Sequence, residues 1–327
     1  MAARGRMPGE FTAIARHFRP LATHPGAFRL EDDLAWLAPR FGRRLVLKTD
    51  AIVVGVHTLP GDPPDLIARK ALRVNLSDLA GKGARPLGYM LALVLPADTK
   101  EAWLARFATG LGADQKAFGI PLLGGDLTRT PGPPTIAITA IGEARAGRPL
   151  LRGGARRGDA VFVSGSIGDA ALGLLALKGE LPALAARHRR FLAARYRLPE
   201  PRLALGRAVA PLASAAMDVS DGLVADLGHI CAASGCGAEI DLAAVPASPA
   251  AQEAGERHTL ARLTGGDDYE LLFTAPLKAE AGLRAAARKT GVPVTRIGRI
   301  VAAPGVRVLA PDGGEVRVKD GGWQHFR

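Results

Sequence analysis

Cysteine is almost missing from this chain: Cys231 and Cys236 are the two among 327 residues. Two thiols build no disulfide framework, and without a CxxC pair they offer no zinc ribbon. A reducing, cytoplasmic setting is the expectation. Aromatic residues amount to 5%, too few for a surface that stacks single-stranded nucleic acid. Long apolar runs are absent as well. Met90–Pro96 is far short of the roughly 20 residues that span a bilayer, so no membrane contact is expected. Met1–Glu10 has no apolar signal core. Ser164-Gly165-Ser166-Ile167-Gly168 and Gly81-Lys82-Gly83 are rich in glycine, but neither ends in the Gly-Lys-Ser/Thr of a Walker A loop. There is no HExxH zinc motif, and no pattern sets a serine or cysteine nucleophile beside a histidine.

What is present is a large apolar fraction and an excess of positive charge. A chain that is 48% hydrophobic and of this length buries a sizeable core. Two domains are expected, 1–148 and 149–327, with the boundary in the Gly- and Arg-rich stretch Gly142–Gly158. Lys and Arg number 43 against 31 Asp and Glu, a formal +12, which favours anionic partners. The basic residues are scattered in short clusters, so a small phosphorylated ligand is favoured over nucleic acid. Apolar spacing predicts helices over Glu10–Phe18, Asp65–Leu76, Glu101–Phe118, Ile167–Lys178 and Leu223–Ala233. It predicts strands at Leu45–Leu47, Ile52–Val56, Met90–Leu95, Ile120–Leu123, Thr135–Ile141, Ala160–Ser164, Leu271–Phe273 and Val292–Ile297. The alternation of the two classes reads as α/β in both halves.

Short acidic motifs stand beside these apolar segments and are read as turns: Glu31-Asp32-Asp33, Lys48-Thr49-Asp50, Asn75-Leu76-Ser77-Asp78 and Leu123-Gly124-Gly125-Asp126. The second half adds Asp218-Val219-Ser220-Asp221-Gly222 and Gly265-Gly266-Asp267-Asp268-Tyr269-Glu270. Magnesium takes oxygen ligands in octahedral geometry and usually shares them with substrate phosphates. Separated carboxylates that converge would hold such ions against a polyphosphate. Glycine beside them allows close backbone approach, as Gly125 would to a phosphate. Taken singly, each acid serves equally well as a helix cap or a turn residue. Arg152 lies beside glycines near the domain boundary and is the preferred basic contact to a triphosphate; the alternative is a solvated charge cluster. His57 either reaches ligand from a strand end or bonds its own turn. Trp323 and Phe326 either cover a core edge or form a wall for an aromatic ring.

In this order, with Gly9-Glu10-Phe11 and His57, the motifs resemble the thiamine-monophosphate kinase family, within a wider group resembling aminoimidazole ribonucleotide synthetase. The resemblance runs from about Gly9 to Phe326. It implies a two-domain α/β fold whose N-terminal sheet contributes to a homodimer. It implies a kinase that passes the γ-phosphoryl group of ATP in line to thiamine monophosphate, assisted by several Mg2+ ions and without a covalent nucleophile. Carried over by position, Asp33, Thr49, Asp50, Asp78, Asp126, Asp218 and Asp221 are the metal network, with Asp50 and Asp126 supporting the transition state. Arg152, Ser220 and Gly125 would contact ATP; His57, Asp267 and Trp323 would contact thiamine phosphate. Asp32 matches less well than Asp33. The chain departs from the pattern at Arg29 and Glu31, where the family approaches its first acidic pair through glycine. It departs again at Leu127, where the family has threonine, and at Asp267, where glutamate is common. An ATP-dependent amidine-forming synthetase acting on a ribonucleotide, or a non-catalytic relative of the same fold, are the alternatives.

Overall fold

The computed structural model describes residues 7–32, 34–147, 150–318 and 321–323. It divides into two compact units, Met1–Leu79 with Ala84–Gly147, and Ala80–Gly83 with Arg148–Arg327.

The first unit begins with a short helix, α1 (Glu10–Ala13), which widens into a π-helical turn at Ile14–Phe18. Four strands follow, β1 (Arg43–Val53), β2 (Arg85–Pro96), β3 (Leu122–Thr130) and β4 (Thr135–Arg145), in the sheet order β1-β4-β2-β3. All neighbours are antiparallel except β2 and β3. Two helices, α2 (Pro64–Gly81) and α3 (Glu101–Phe118), complete the unit. The period-2 pleat decides what lies where. On β2, Leu91, Leu93 and Leu95 are buried, while Met90, Ala92 and Val94 between them are less so. Helix α2 is buried almost all round rather than on one side, and the buried set includes Lys70, Arg73, Asn75 and Ser77. Polar groups this deep need partners. Arg73 donates to Asp114 of α3 at 2.6 and 2.9 Å, and Arg69 to the same carboxylate at 2.9 Å.

Several expected boundaries move. Leu45–Leu47 and the start of Ile52–Val56 belong to one strand that runs through Lys48-Thr49-Asp50 without a break and ends at Val53, so Val54–Val56 lie in the turn beyond it. Asn75–Asp78 lies inside α2, and Gly124-Gly125-Asp126 lies inside β3. These three motifs are therefore not turns. Polar residues in them are held by a sheet ladder or a helix, which the local sequence did not reveal.

The second unit carries a seven-stranded sheet in the order β11-β10-β7-β9-β5-β8-β6. The strands are β5 (Ala160–Ser164), β6 (Ala215–Asp218), β7 (Gly237–Asp241), β8 (Leu271–Ala275), β9 (Val294–Val301), β10 (Gly305–Leu309) and β11 (Glu315–Val316). Strands β5, β6 and β8 are buried along their whole length, so they read as unbroken apolar runs. The helices are α4 (Asp169–Leu177), α5 (Ala186–Arg197), α6 (Leu203–Val209), α7 (Leu223–Ser234), α8 (Pro249–Ala254), α9 (Thr259–Thr264) and α10 (Glu280–Thr290). Leu223, Leu227 and Ile230 of α7 pack with Val161, Val163, Met217 and Leu272 in one apolar cluster.

Candidate active site

The first unit assembles an acidic group at the junction of β1 and α2. Lys48 and Asp50 are two residues apart on an extended strand, so their side chains leave it on the same face. Asp78 comes to that face from α2. Lys48 Nζ lies 3.1 Å from Asp50 Oδ1 and 3.0 Å from Asp78 Oδ2. Burial pulls the lysine pKa down, but the Asp78 and Asp50 carboxylates outweigh this and hold it above its ordinary value. Asn75, one turn before Asp78, fixes the register of helix on strand. Its Oδ1 accepts the Asp50 N–H at 3.0 Å, and its amide donates to the Ala71 carbonyl.

The other expected residues of this unit sit differently. Thr49 points to the opposite face of β1, where its hydroxyl meets that of Thr139 at 2.7 Å. Asp126 is on β3, at the far edge of the sheet from β1. Three strand spacings, about 14 Å, separate those edges. The register also pairs Asp126 with Ala92, and so with Ala137 and Ala51 rather than with the row of Asp50. Within one chain Asp50 and Asp78 meet, and Asp126 does not join them. Gly125 has a local reason to be glycine: φ is +159°, and a Cβ there would lie 1.8 Å from the Leu91 carbonyl oxygen. Close strand packing thus demands it without any ligand. His57 stands in the turn after β1. Its Nδ1 accepts the Val53 N–H at 3.0 Å, which leaves the proton of the neutral ring on Nε2. Asp33 lies outside the described residues. Just before it, Phe28, Arg29 and Leu30 adopt φ of 46°, 57° and 58°, the left-handed region that glycine enters at least cost.

In the second unit two of the motifs zip together. The Val219 N–H donates to the Glu270 carbonyl at 2.8 Å, Tyr269 N–H to Val219 at 2.8 Å, and Asp267 N–H to Ser220 at 2.9 Å. Gly266 must be bare for this approach, since a Cβ would meet the Ser220 carbonyl at 2.2 Å. Alternate residues of the second motif then divide their labour. Asp268 turns inward, accepting the Gly168 and Ala170 N–H groups at 2.6 and 3.0 Å at the start of α4. Burial still pushes this acid up to about 7. Glu270 is fully buried and accepts from Ser164 (2.5 Å), Arg195 (2.8 Å) and Arg202 (2.5 and 2.8 Å). These two acids hold the fold. Asp267, at φ 72°, is less buried than either.

Asp218 ends β6 and is buried, and Asp221 sits in the loop that follows. Asp226, in the first turn of α7, organises that loop: its Oδ2 accepts the N–H groups of Ser220, Asp221 and Gly222 at 2.9, 3.1 and 3.2 Å. Among the described residues its buried Oδ1 has no hydrogen-bond partner. An orphaned carboxylate oxygen is costly. Burial, with the charges of Asp218 and Asp221, pushes this acid up to about 8. Asp221, Asp226 and His229 also bring one ligand atom each within 4.8 Å of one another. This surplus of negative charge at a partly open loop fits a divalent cation. In the first unit Asp50 and Asp78 are oxygen donors of the kind magnesium takes, with the Lys48 ammonium between them.

The basic and aromatic residues expected at the site belong to the same unit. Leu151 accepts the Ala216 N–H at 2.9 Å, which sets the exposed Arg152 beside β6, two residues before Asp218. The tail folds onto the acidic loop: Trp323 N–H donates to the Asp221 carbonyl at 2.9 Å, and Gly321 accepts from Ala225 at 2.9 Å. Trp323 is 56% exposed. Phe326 lies outside the described residues.

Two family models match, AIR synthase related protein N-terminal domain over residues 31–144 and its C-terminal domain over 156–310. Thiamine-monophosphate kinase of Caulobacter vibrioides is 45% identical across 97% of this chain and 91% of its own. The chain belongs to the thiamine-monophosphate kinase family. The Escherichia coli K12 kinase is 41% identical over 97% of this chain and 98% of its own. Among solved structures, the thiamine-monophosphate kinase of Stenotrophomonas maltophilia matches with a TM-score of 0.78 at 41% identity, over 88% of this chain and 90% of that one. AaThiL complexed with AMPPCP and TMP matches at 0.76 and 32% identity, over 88% and 89%. Against this family background the sequence reading overlooked Lys48, Asn75, Asp226 and His229. Asp226 and His229 had a signal, since they follow Asp221 at five and eight residues on a helix that was itself expected. Lys48 and Asn75 stood inside motifs marked for their acids, but the contacts of Lys48 to Asp78 and of Asn75 to the Asp50 N–H reach to another element, which local sequence does not show.

Proposed function

We infer that this chain is an enzyme that transfers the γ-phosphoryl group of ATP to thiamine monophosphate, giving thiamine diphosphate. The observation that carries the reading is 45% identity to a thiamine-monophosphate kinase over nearly the whole length. Two acidic groups with, among the described residues, no activated nucleophile beside them fit it chemically. A phosphate oxygen of the acceptor is already anionic near neutral pH, so the reaction needs alignment and charge neutralisation rather than a general base.

Magnesium, when bound, supplies the positive charge that draws the two phosphates together. Asp50 and Asp78 are its proposed ligands in the first unit, with Asp33. Thr49 could contribute only through its backbone, because its hydroxyl faces Thr139. Asp126 remains a proposed ligand and transition-state support by position in the family motif, although it stands apart from Asp50 in the chain. Asp218 and Asp221 are the proposed ligands in the second unit. Arg152 and Ser220 would hold nucleotide phosphate, and Gly125 would let it approach. His57 is the proposed contact to the acceptor phosphate by its position in the family motif. Trp323, held by Asp221, would wall the thiamine ring, with Asp267 close by in the zipped loops.

We also propose a homodimer. The face of β1 turned away from α2 exposes Leu45 and Leu47, the latter at 65%, and an apolar sheet face of this kind is usually covered. Among the described residues no helix is long and apolar enough to cross a membrane. The free thiols Cys231 and Cys236 suit a cytoplasmic setting. Incubation with ATP, Mg2+ and thiamine monophosphate should yield thiamine diphosphate and ADP in equal amounts. No product above controls lacking enzyme or ATP would reject the kinase reading in favour of the synthetase or the non-catalytic alternative.

A further inference from the structure

Lys48 places an ammonium where two carboxylates face each other. Its Nζ is 3.1 Å from Asp50 Oδ1 and 3.0 Å from Asp78 Oδ2. The pair is held from both sides, by the pleat of β1 and by the Asn75 bond from α2 to the Asp50 N–H. The lysine side chain is 31% exposed, so this is a partly enclosed contact rather than a pair waving in solvent. A magnesium ion bridging those same two oxygens would need each about 2.0–2.1 Å away, in the space the ammonium fills. Lysine and ion therefore compete for one gap.

We propose that Lys48 replaces one divalent cation between Asp50 and Asp78, so that this pair meets the nucleotide already partly neutralised. An ammonium carries three N–H donors and no acceptor. Two point at the carboxylates, and the third is available to a phosphate oxygen. Lys48 thus supplies part of the charge and one of the contacts of a bridging ion. The chain then draws fewer magnesium ions from solution than one with an uncharged residue at this position. The inference rests on the reading of Asp50 and Asp78 as metal-side acids.

The test is Mg2+ titration calorimetry of the full chain, alone and with a non-hydrolysable ATP analogue, for wild type, Lys48→Ser and Lys48→Gln. Both variants should bind one more Mg2+ per chain than wild type, and Mg2+ should raise their melting temperature more. Their rate should also rise more steeply with Mg2+ concentration. Lys48→Ser combined with Asp78→Asn should lose the added site. Equal ion counts and equal thermal responses in wild type and both variants would overturn the proposal. So would a loss of nucleotide affinity with the count unchanged, which makes Lys48 a phosphate contact alone. If the serine variant is too unstable to titrate, the glutamine variant, close to lysine in length, carries the comparison. A wild type that forms thiamine diphosphate while the counts stay equal would refute the lysine role and leave the kinase reading intact. A wild type that forms no product would refute the kinase reading, whatever the counts.

Discussion

At the scale of single residues, the acids of this chain fall into two kinds that look alike in the sequence. Asp268 and Glu270 spend their oxygens on backbone N–H groups, a hydroxyl and arginines. Asp226 keeps one buried oxygen without a partner among the described residues, and Asp50 and Asp78 both meet Lys48. The second kind is where cations are proposed to bind. Asp50→Asn should lower turnover roughly 100-fold or more, the scale of losing one electrostatic contact to a transition state, with the melting temperature little changed. Steady-state rates at saturating Mg2+ decide this, and near-normal turnover removes Asp50 from the metal set. Asp226 makes a second prediction. Its carboxyl is pushed up to about 8 by burial and by Asp218 and Asp221, so near pH 7 it is largely protonated. A cation bound at Asp221 and Asp226 favours the ionised form and should expel a proton. Calorimetry in buffers of different ionisation enthalpy should detect this release in wild type and not in Asp226→Asn.

Among elements, the informative contacts are those that lock a strand to its neighbour. Glu143 of β4 is buried, and Arg40 and Arg85 reach it, each Nε donating to Oε1 at 2.5 and 3.1 Å. Burial alone would raise its pKa. The Arg40 backbone N–H and the two guanidinium groups outweigh burial and lower it from 4.5 to about 2. An acid whose folded pKa is depressed stabilises the fold above its unfolded pKa, and that contribution is lost as pH falls through the folded one. Stability should therefore drop between about pH 4.5 and pH 2. Urea melts across that window should show a flatter pH dependence for Glu143→Gln. In the second unit, Gly222 precedes α7 at φ 126°, and a Cβ there would lie 2.7 Å from the Thr264 backbone. Gly222→Ala should cost about 2 kcal/mol and disturb the loop that bears Ser220 and Asp221. Denaturant melts give the first effect, and nucleotide titration the second.

For the whole molecule, the outer face of the four-stranded sheet is the place where a second copy is expected. Leu47→Lys should shift the mass measured by light scattering from dimer toward monomer. An unchanged mass would mean that this face is not the contact. The α/β character of both halves was legible in the sequence, because it depends on apolar period and on turn residues. Helix α3 and strand β5 emerge with the bounds that their periodicity implied. Helix α10 and strands β6, β7 and β10 went unread. Short strands flanked by glycine or alanine carry little local signal, and pairing in a sheet decides them.

The sequence by itself determined the family, since the order and spacing of the acidic motifs survive as a pattern along the chain. It also pointed to chemistry built on carboxylates rather than on a nucleophile. Only the tertiary structure decided which acids keep company. It seated Lys48 between Asp50 and Asp78, left Asp126 on the opposite edge of the sheet, and committed Asp268 and Glu270 to the fold. The physical reason is that a local pattern sets which face of its own element a side chain occupies. Its partners are set by sheet order and helix docking, which join residues far apart in the chain.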